Sequence, residues 1–196
     1  MTEYFLAGDE IRKLNRDLRI LIATNGTLTR ILGMLSDEEI IVQIIKQQIH
    51  PRETVESGQF SGGRILQRHV LLNGRSSGYR FVAAESLVAI DLLPCAITAS
   101  LTRTECPIGE IMAASRLETF KEPAEVWIGE SPDWLAVAGY QTPQPRTIGR
   151  RYRIIIGGQP VIIITEHFLE SCSRIRRSDE SNLSQIFEKH GYMESE

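Results

Sequence analysis

The sequence has few cysteines, and their arrangement excludes two kinds of site. Cys95, Cys106 and Cys172 are odd in number and far apart, so they indicate neither a disulfide framework nor the paired spacing of a metal site. We interpret them as the reduced thiols of a cytoplasmic protein. The four histidines also lack the paired spacing of metal ligands, and the sequence implies no metal.

Net charge and long apolar runs are also scarce. The formal net charge is -3, from 22 basic and 25 acidic residues, which predicts no general attraction to nucleic acid or to an anionic membrane. The apolar runs are of strand length, and residues 1–10 lack the basic segment and apolar core of a signal peptide. We therefore expect a cytoplasmic protein with no membrane span and no nucleic-acid partner, and the sequence predicts no particular oligomeric state.

What is present is an ordinary globular composition for one domain. The chain has 196 residues, of which 42% are hydrophobic and 24% are charged, enough for one sizeable core. After Glu170 the sequence becomes polar and mixed in charge. We therefore divide the chain into a domain of residues 1–173 and a loosely attached tail of residues 174–196.

Hydrophobic spacing predicts both helices and strands. Residues 9–35 have apolar positions three and four apart with a stop at Asn25-Gly26, which indicates a helical hairpin. A second helical excursion is expected within residues 87–115. Together, the predicted helices and strands indicate an α+β domain of antiparallel hairpins, in which the two helical excursions are candidate lids. The predicted strands are residues 39–49, 64–72, 79–84 and 117–128, and Pro123 either confines the last strand to a sheet edge or bends it. A helical turn is predicted over residues 132–138.

The final hairpin, from Gly149 to Ser171, carries an acid on an apolar face. Two β-branched runs flank a Gly-Gly-Gln-Pro turn, which predicts an antiparallel pair of strands. Because side chains alternate along a strand, Glu166 falls on the same face as Ile164 and Phe168. Burial of an unpaired charge is costly, so this carboxylate requires a partner, a proton or a chemical task.

A second charge falls on an apolar face in the same way. Alternation groups Arg68 with Leu66, Val70 and Leu72. Two interpretations stay open at this point. Arg68 and Glu166 form a buried structural ion pair, or they face an apolar pocket in which the arginine binds a carboxylate and the glutamate meets a hydroxyl or a proton.

Other polar residues on these strands receive simpler interpretations. Arg150, Arg151 and Arg153 are interpreted as a solvated strand edge, with guidance of an anion as the alternative. His69 and His167 each follow one of the featured charges, so we predict that they point to the opposite face of the sheet. We expect these histidines to be satisfied or exposed rather than catalytic.

Five dispersed motifs, in order along residues 9–171, carry a family resemblance. They are ATNGTLTRIL, GRILQRHVLL, FVAAESL, CPIGEIMAASRLETFKE and GRRYRIIIGGQPVIIITEHFL. In these motifs the chain resembles the chorismate pyruvate-lyases, also called 4-hydroxybenzoate synthases, and their mycobacterial branch in particular. The resemblance implies a single antiparallel β-sheet with helical flaps closing over an internal ligand pocket, which agrees with the elements predicted above.

The resemblance also implies roles for single residues. Arg68 matches the family's carboxylate-binding arginine, and Glu166 matches its hydroxyl-binding glutamate. The backbone amides of Thr27 and Ile108 match the flap donors that bind the ring carboxylate. The implied reaction converts chorismate to 4-hydroxybenzoate and pyruvate without a metal or a cofactor. The mycobacterial resemblance further implies use of the product in phenolic glycolipid biosynthesis.

Two competing functions are kept beside the lyase. Effector domains of some bacterial transcription regulators share the family's fold without lyase activity, so a non-catalytic small-molecule-binding module is the alternative. Residues 1–38 precede the first predicted strand and carry little net charge, so no DNA-binding domain is expected there. A structural protein with a buried Arg68 to Glu166 pair would bind no 4-hydroxybenzoate. A direct salt bridge between these two residues without ligand would weaken the substrate-binding interpretation.

Overall fold

A single antiparallel sheet forms the body of the fold. The computed structural model describes residues 4–51, 60, 63–137, 146–169 and 171–172. The strand order is β1-β6-β7-β8-β4-β3-β2, with β5 pairing to β7, and the pairs are antiparallel. The strands of the described residues are β1 (Tyr4–Phe5), β2 (Ile40–Pro51), β3 (Arg64–Gly74), β4 (Arg80–Ala89), β5 (Phe120–Lys121), β6 (Glu125–Glu130), β7 (Arg146–Ile156) and β8 (Gln159–Phe168).

Two pairs of helices cover one face of this sheet, and the predicted α+β class is confirmed. We call α2 (Arg16–Ala23) with α3 (Leu28–Ser36) the first flap, and α4 (Cys95–Arg103) with α5 (Ile108–Ser115) the second flap. Leu21 and Leu32 of the first flap share a buried cluster with Phe168 of β8. Ile97 and Ile111 of the second flap belong to a buried cluster built on β3, β7 and β8. The helices of the described residues are α1 (Gly8–Ile11), α2 (Arg16–Ala23), α3 (Leu28–Ser36), α4 (Cys95–Arg103), α5 (Ile108–Ser115) and α6 (Asp133–Val137).

Strand alternation assigns side chains to the two sheet faces as predicted. Arg68 and Glu166 lie on the face that the flaps cover, and both are buried. His69 and His167 lie on the opposite face. The His69 ring stacks on Trp134 with centroids 4.6 Å apart, and Nδ1 of His167 lies 3.1 Å from the Thr147 hydroxyl. The histidines are therefore separated from the covered face by the sheet itself.

The hairpin of β7 and β8 is confirmed, with a shorter turn than expected. Gly157 and Gly158 form the turn with φ values of 58° and 80°, which glycine adopts without steric cost. Gln159 and Pro160 already belong to β8, where the register shifts by one residue between Ile154 and Ile155 of β7. Beyond this irregularity the pairing is regular and brings Arg150 opposite Glu166.

Three predictions of element boundaries were wrong. The helix expected from residue 9 is two helices, because Asn15 ends the connection and caps α2 by accepting a hydrogen bond from the Leu18 amide at 2.8 Å. Strand β4 does not end near Glu85 but continues to Ala89, since its residues keep pairing with both β3 and β8. The predicted strand over residues 117–128 is two strands, β5 and β6, with Pro123 between them.

Some predictions lie outside the described residues. These are residue 138 of the predicted helical turn and the tail from residue 174, so the division at residue 173 stays a prediction. Strand β1 was not predicted, since it is only two residues long and pairs with β6. In the described ranges, no helix has the length and apolar character needed to cross a membrane.

Gly149 is predicted to be essential for packing β7 against β6. It lies directly opposite Trp127, whose side chain is buried, and a methyl group at Gly149 would overlap the indole ring. Gly149→Ala should therefore lower the free energy of unfolding by about 1–3 kcal/mol, measured by urea denaturation. Gly8→Ala is the control, because no atom lies within 4 Å of the added carbon. Equal unfolding midpoints for both variants would contradict this packing.

Candidate active site

A cavity of about 410 Å³ lies between the sheet and the two flaps. The flaps meet above it, where the Thr29 hydroxyl donates to Glu110 at 3.3 Å and Gly109 packs closely on Thr27. This volume is within the range of small-molecule pockets. The sheet contributes mostly apolar side chains and one acid to the wall: Val70, Leu72, Ala84, Ser86, Tyr152, Ile154, Ile164 and Glu166.

Glu166 is the acid in the wall, and it has two partners in the absence of ligand. Its side chain is 4% exposed. Nε of Arg150 donates to Oε2 at 2.5 Å, and the Tyr152 hydroxyl donates to Oε1 at 3.1 Å. The structure therefore supplies the partner that this buried carboxylate requires. Each carboxylate oxygen keeps a lone pair with which to accept a further hydrogen bond.

The interpretation of Arg150 as a solvated edge is also wrong. Arg150 is fully buried, whereas Arg151 and Arg153 are half-buried on the other face of β7. Arg153 forms its own ion pair with Glu122, with nitrogen to oxygen distances of 2.5 and 3.1 Å. The sequence contains part of the signal that separates these arginines, since alternation puts Arg150 on the face of Tyr152. Regular pairing across the glycine turn would put Arg150 opposite Thr165, and the register shift between Ile154 and Ile155 brings it opposite Glu166 instead.

Arg150 also binds the first flap. Its Nη1 donates to the carbonyl oxygens of Leu21 at 2.5 Å, Ile22 at 2.9 Å and Thr24 at 3.3 Å. These carbonyls lie at the C-terminal end of α2, where helix acceptors lack an intrahelical partner and a cation is electrostatically favoured. One guanidinium thus joins the acid of β8 to the flap that covers it.

Tyr152 donates its hydroxyl hydrogen to Glu166. Burial, and then the neighbouring Glu166 charge, raise the pKa of Tyr152 well above its usual value. The phenol consequently stays protonated at neutral pH.

Arg68 is a buried cation without an ion-pair partner among the described residues. The residue is 1% exposed, its Nε has no partner, and its Nη2 donates only to the Thr104 carbonyl at 3.4 Å. Burial lowers the pKa of Arg68, and electrostatic interactions with Cys106 and Glu105 act in the opposite direction. Arg68 is not among the residues that line the cavity, but Val70, two residues further along β3, and Ser86, its partner on β4, both line it.

The Arg68 to Glu166 ion pair that the sequence left open is not formed. The two residues lie two strands and two positions apart in the register, which separates their Cα atoms by about 12 Å. Glu166 is paired with Arg150 instead. The cavity therefore has an unpaired cation near one end and a paired carboxylate at the other.

Thr27 and Ile108 both line the cavity, at the N-terminal ends of α3 and α5. Amides at such positions have no intrahelical acceptor. Neither amide has an acceptor among the residues that the structure describes. Arg68 contacts Thr104, in the segment that leads into α5. The three groups that the family resemblance connects with a carboxylate thus lie toward the same end of the cavity.

Lys121 is a cavity residue that the sequence did not indicate. Its Nζ lies 3.8 Å from the centroid of the Tyr152 ring and 3.4 Å from the Thr24 carbonyl oxygen, to which it donates. Lys121 belongs to the two-residue strand β5, beside the break at Pro123, where strand periodicity is too short to assign a face.

Comparison with known proteins identifies the family. Residues 22–176 match the family described as "Chorismate pyruvate-lyase Rv2949c-like". The chain belongs to this chorismate pyruvate-lyase family. It is 59% identical over 179 residues to the chorismate pyruvate-lyase of Mycobacterium tuberculosis (strain ATCC 25618 / H37Rv). The aligned region covers 89% of this chain and 90% of that relative. It is 62% identical over 174 residues to that of Mycobacterium leprae (strain TN), covering 87% and 82%.

Solved structures show the same fold in more distant proteins. A GntR-family transcriptional regulator from Bacillus cereus superposes with a TM-score of 0.52 at 14% identity, covering 68% of this chain and 94% of the regulator. The effector domain of PhnF from Mycobacterium smegmatis superposes with a TM-score of 0.54 at 12% identity, covering 74% and 90%. At such low identity the similarity shows the fold alone.

In this member of the chorismate pyruvate-lyase family, Arg150 is predicted to stabilise the fold strongly. Arg150→Met would leave Glu166 buried without its cation and the end of α2 without its donor, so the free energy of unfolding should fall by about 3–5 kcal/mol. Chemical denaturation of the purified variant measures this change.

Arg153→Met provides the matched control for Arg150. The same substitution there breaks an ion pair whose side chains are 41% and 28% exposed, so it should cost about 0–1 kcal/mol. Similar losses for the two variants would show that the buried pair has no special role.

Proposed function

We propose that the protein is a chorismate pyruvate-lyase that converts chorismate to 4-hydroxybenzoate and pyruvate. The observation that carries this proposal is the polarity of the cavity, which has Arg68 unpaired near one end and Glu166 at the other. A ring with a carboxylate and a hydroxyl at opposite carbons matches this arrangement. Family membership and the names of the mycobacterial relatives support the same reaction.

The ring carboxylate binds at the Arg68 end. The guanidinium of Arg68 donates a charge-assisted hydrogen bond to this carboxylate in place of its long hydrogen bond to the Thr104 carbonyl. The amides of Thr27 and Ile108 also donate to the carboxylate from the flaps. The gain in binding free energy is large because Arg68 is already desolvated and lacks a counter-ion among the described residues. The apolar faces of the ring lie against side chains such as Val70 and Met112.

The ring hydroxyl donates to Glu166. Arg150 and Tyr152 hold the carboxylate in place, so it is oriented before the substrate enters. Glu166 thus acts as a hydrogen-bond acceptor and a positioning group, with Arg150 as its ion-pair partner.

The reaction breaks the ether bond between the ring and the enolpyruvyl group and removes the hydrogen from the carbon that bears the hydroxyl. The electron pair of that carbon–hydrogen bond completes the aromatic ring, and the released enolpyruvyl group becomes pyruvate. Whether the hydrogen passes to a base or directly to the enolpyruvyl carbon, the ring must be held at both ends. Fixing the substrate in this geometry is the contribution that the described residues can make.

A non-catalytic binding module is the second candidate, favoured by the structural similarity to transcriptional regulators. Incubation with chorismate separates the two. The lyase releases pyruvate and 4-hydroxybenzoate in equal amounts, whereas the module binds 4-hydroxybenzoate without releasing pyruvate. Absence of both binding and turnover would contradict both candidates.

Arg68→Met is predicted to reduce kcat/KM for chorismate by about 100-fold, because the ring carboxylate loses its cation. The wild-type protein should prefer 4-hydroxybenzoate to 4-hydroxybenzamide in titration calorimetry, and the variant should lose this preference. Arg75→Met is the control, since Arg75 is 58% exposed in its ion pair with Glu39 and should leave both measurements unchanged. Full activity of a folded Arg68→Met protein would sink this assignment.

Glu166→Gln is predicted to act on the other end of the ring. The wild-type protein should prefer 4-hydroxybenzoate to benzoate, which lacks the hydroxyl, and the variant should lose most of this preference together with about 100-fold in kcat/KM. Thermal unfolding of the variant separates this effect from the loss of the Arg150 ion pair. A folded variant that keeps the hydroxyl preference would show that Glu166 does not contact the hydroxyl.

A further inference from the structure

Chorismate carries a second carboxylate that the residues described so far do not bind. It belongs to the enolpyruvyl ether, which is attached to the ring carbon beside the hydroxyl. Arg68 and the flap amides account for the ring carboxylate, and Glu166 accounts for the hydroxyl. A second cation near Glu166 would therefore be expected in a cavity that recognises the substrate rather than only its aromatic product.

Lys121 lies at that place. In the sheet it pairs with Ile154 of β7, two residues beyond Tyr152. Its Nζ is over the Tyr152 ring, and the Tyr152 hydroxyl donates to Glu166. Lys121 therefore lies beside the hydroxyl end of the cavity, on the opposite side from Arg68.

The charge of Lys121 is poorly compensated by the protein. Its Nζ donates only to the Thr24 carbonyl, at 3.4 Å, and within the described part of the chain it has no carboxylate at ion-pair distance. Burial, followed by the nearby Arg150 charge, lowers the pKa of Lys121 to about 8, while Glu166 acts in the opposite direction. Lys121 is thus mostly protonated at neutral pH and has free donors toward the cavity that it lines.

We propose that Lys121 binds the carboxylate of the enolpyruvyl group, so that the cavity contains a second anion subsite specific for the substrate. This inference rests on the proposed lyase function. The aromatic product has no charge at this position, so Lys121 contributes to binding chorismate and not to retaining 4-hydroxybenzoate.

A structural role is the competing explanation, because Lys121 and Arg150 both donate to the carbonyl oxygen of Thr24, at the C-terminal end of α2. A purely structural lysine would affect every ligand that the flap covers. A subsite lysine affects only ligands that carry the second carboxylate. Two ligands that differ in this group therefore separate the two roles.

The test compares 4-hydroxybenzoate with 3-(carboxymethoxy)-4-hydroxybenzoate, which has an ether-linked carboxylate beside the hydroxyl. In Lys121→Gln the Kd of the dicarboxylate and the KM for chorismate should each rise about tenfold, and the Kd of 4-hydroxybenzoate should change less than about twofold. Lys121→Arg, which keeps the charge, should retain most of the preference. Lys46→Gln is the matched control, since it removes the same charge from an exposed position on β2.

Three results would overturn the subsite. Equal weakening of both ligands would assign Lys121 to the flap alone. An unchanged affinity for the dicarboxylate in Lys121→Gln would show that Lys121 does not bind the second carboxylate. Arg116 is another cation that lines the cavity, and a loss of the dicarboxylate preference in Arg116→Gln would assign the second carboxylate to that residue instead. Failure of the wild-type protein to bind 4-hydroxybenzoate or to release pyruvate would reject the proposed function as well, and is distinguished from the other two by the wild-type data alone.

Discussion

The buried ion pair between Arg150 and Glu166 is the interaction on which the rest of the site depends. A carboxylate on an apolar sheet face is tolerated only with a partner, and Arg150 supplies one from the neighbouring strand. The same guanidinium donates to three carbonyls at the end of α2. The position of the acid and the position of the first flap are therefore set by one side chain, which ties the covered cavity to the sheet beneath it.

The two buried arginines of the covered face differ in how far the protein satisfies them. Arg150 donates to a carboxylate and to several backbone carbonyls, as a structural arginine does. Among the residues that the structure describes, Arg68 makes a single long hydrogen bond and its Nε has no partner. Burial of a cation in this state is costly unless an anion enters. This difference separates the residue that holds the fold together from the residue proposed to hold the substrate.

Strand periodicity was sufficient to find two of the important residues and insufficient for two others. Arg68 and Glu166 lie within long, regular strands, where the period of two assigns a face reliably. Arg150 lies in a run of arginines whose composition suggests solvent, and its alignment with Glu166 depends on a register shift in β7 that the sequence does not predict. Lys121 lies in a strand of two residues, and its environment depends on a flap that is distant in sequence. The sequence motifs were sufficient to indicate the family, but they did not predict the contacts of Arg150 and Lys121 within the site.

In the proposed binding mode one ring is held between Arg68 and Glu166, and a crystal structure with 4-hydroxybenzoate tests this mode most directly. We expect the ligand carboxylate within hydrogen-bond distance of Arg68 and of the Thr27 and Ile108 amides. We expect its hydroxyl within hydrogen-bond distance of Glu166, with the Arg150 to Glu166 pair intact. A ligand bound in the reverse orientation, or bound outside this cavity, would contradict this binding mode.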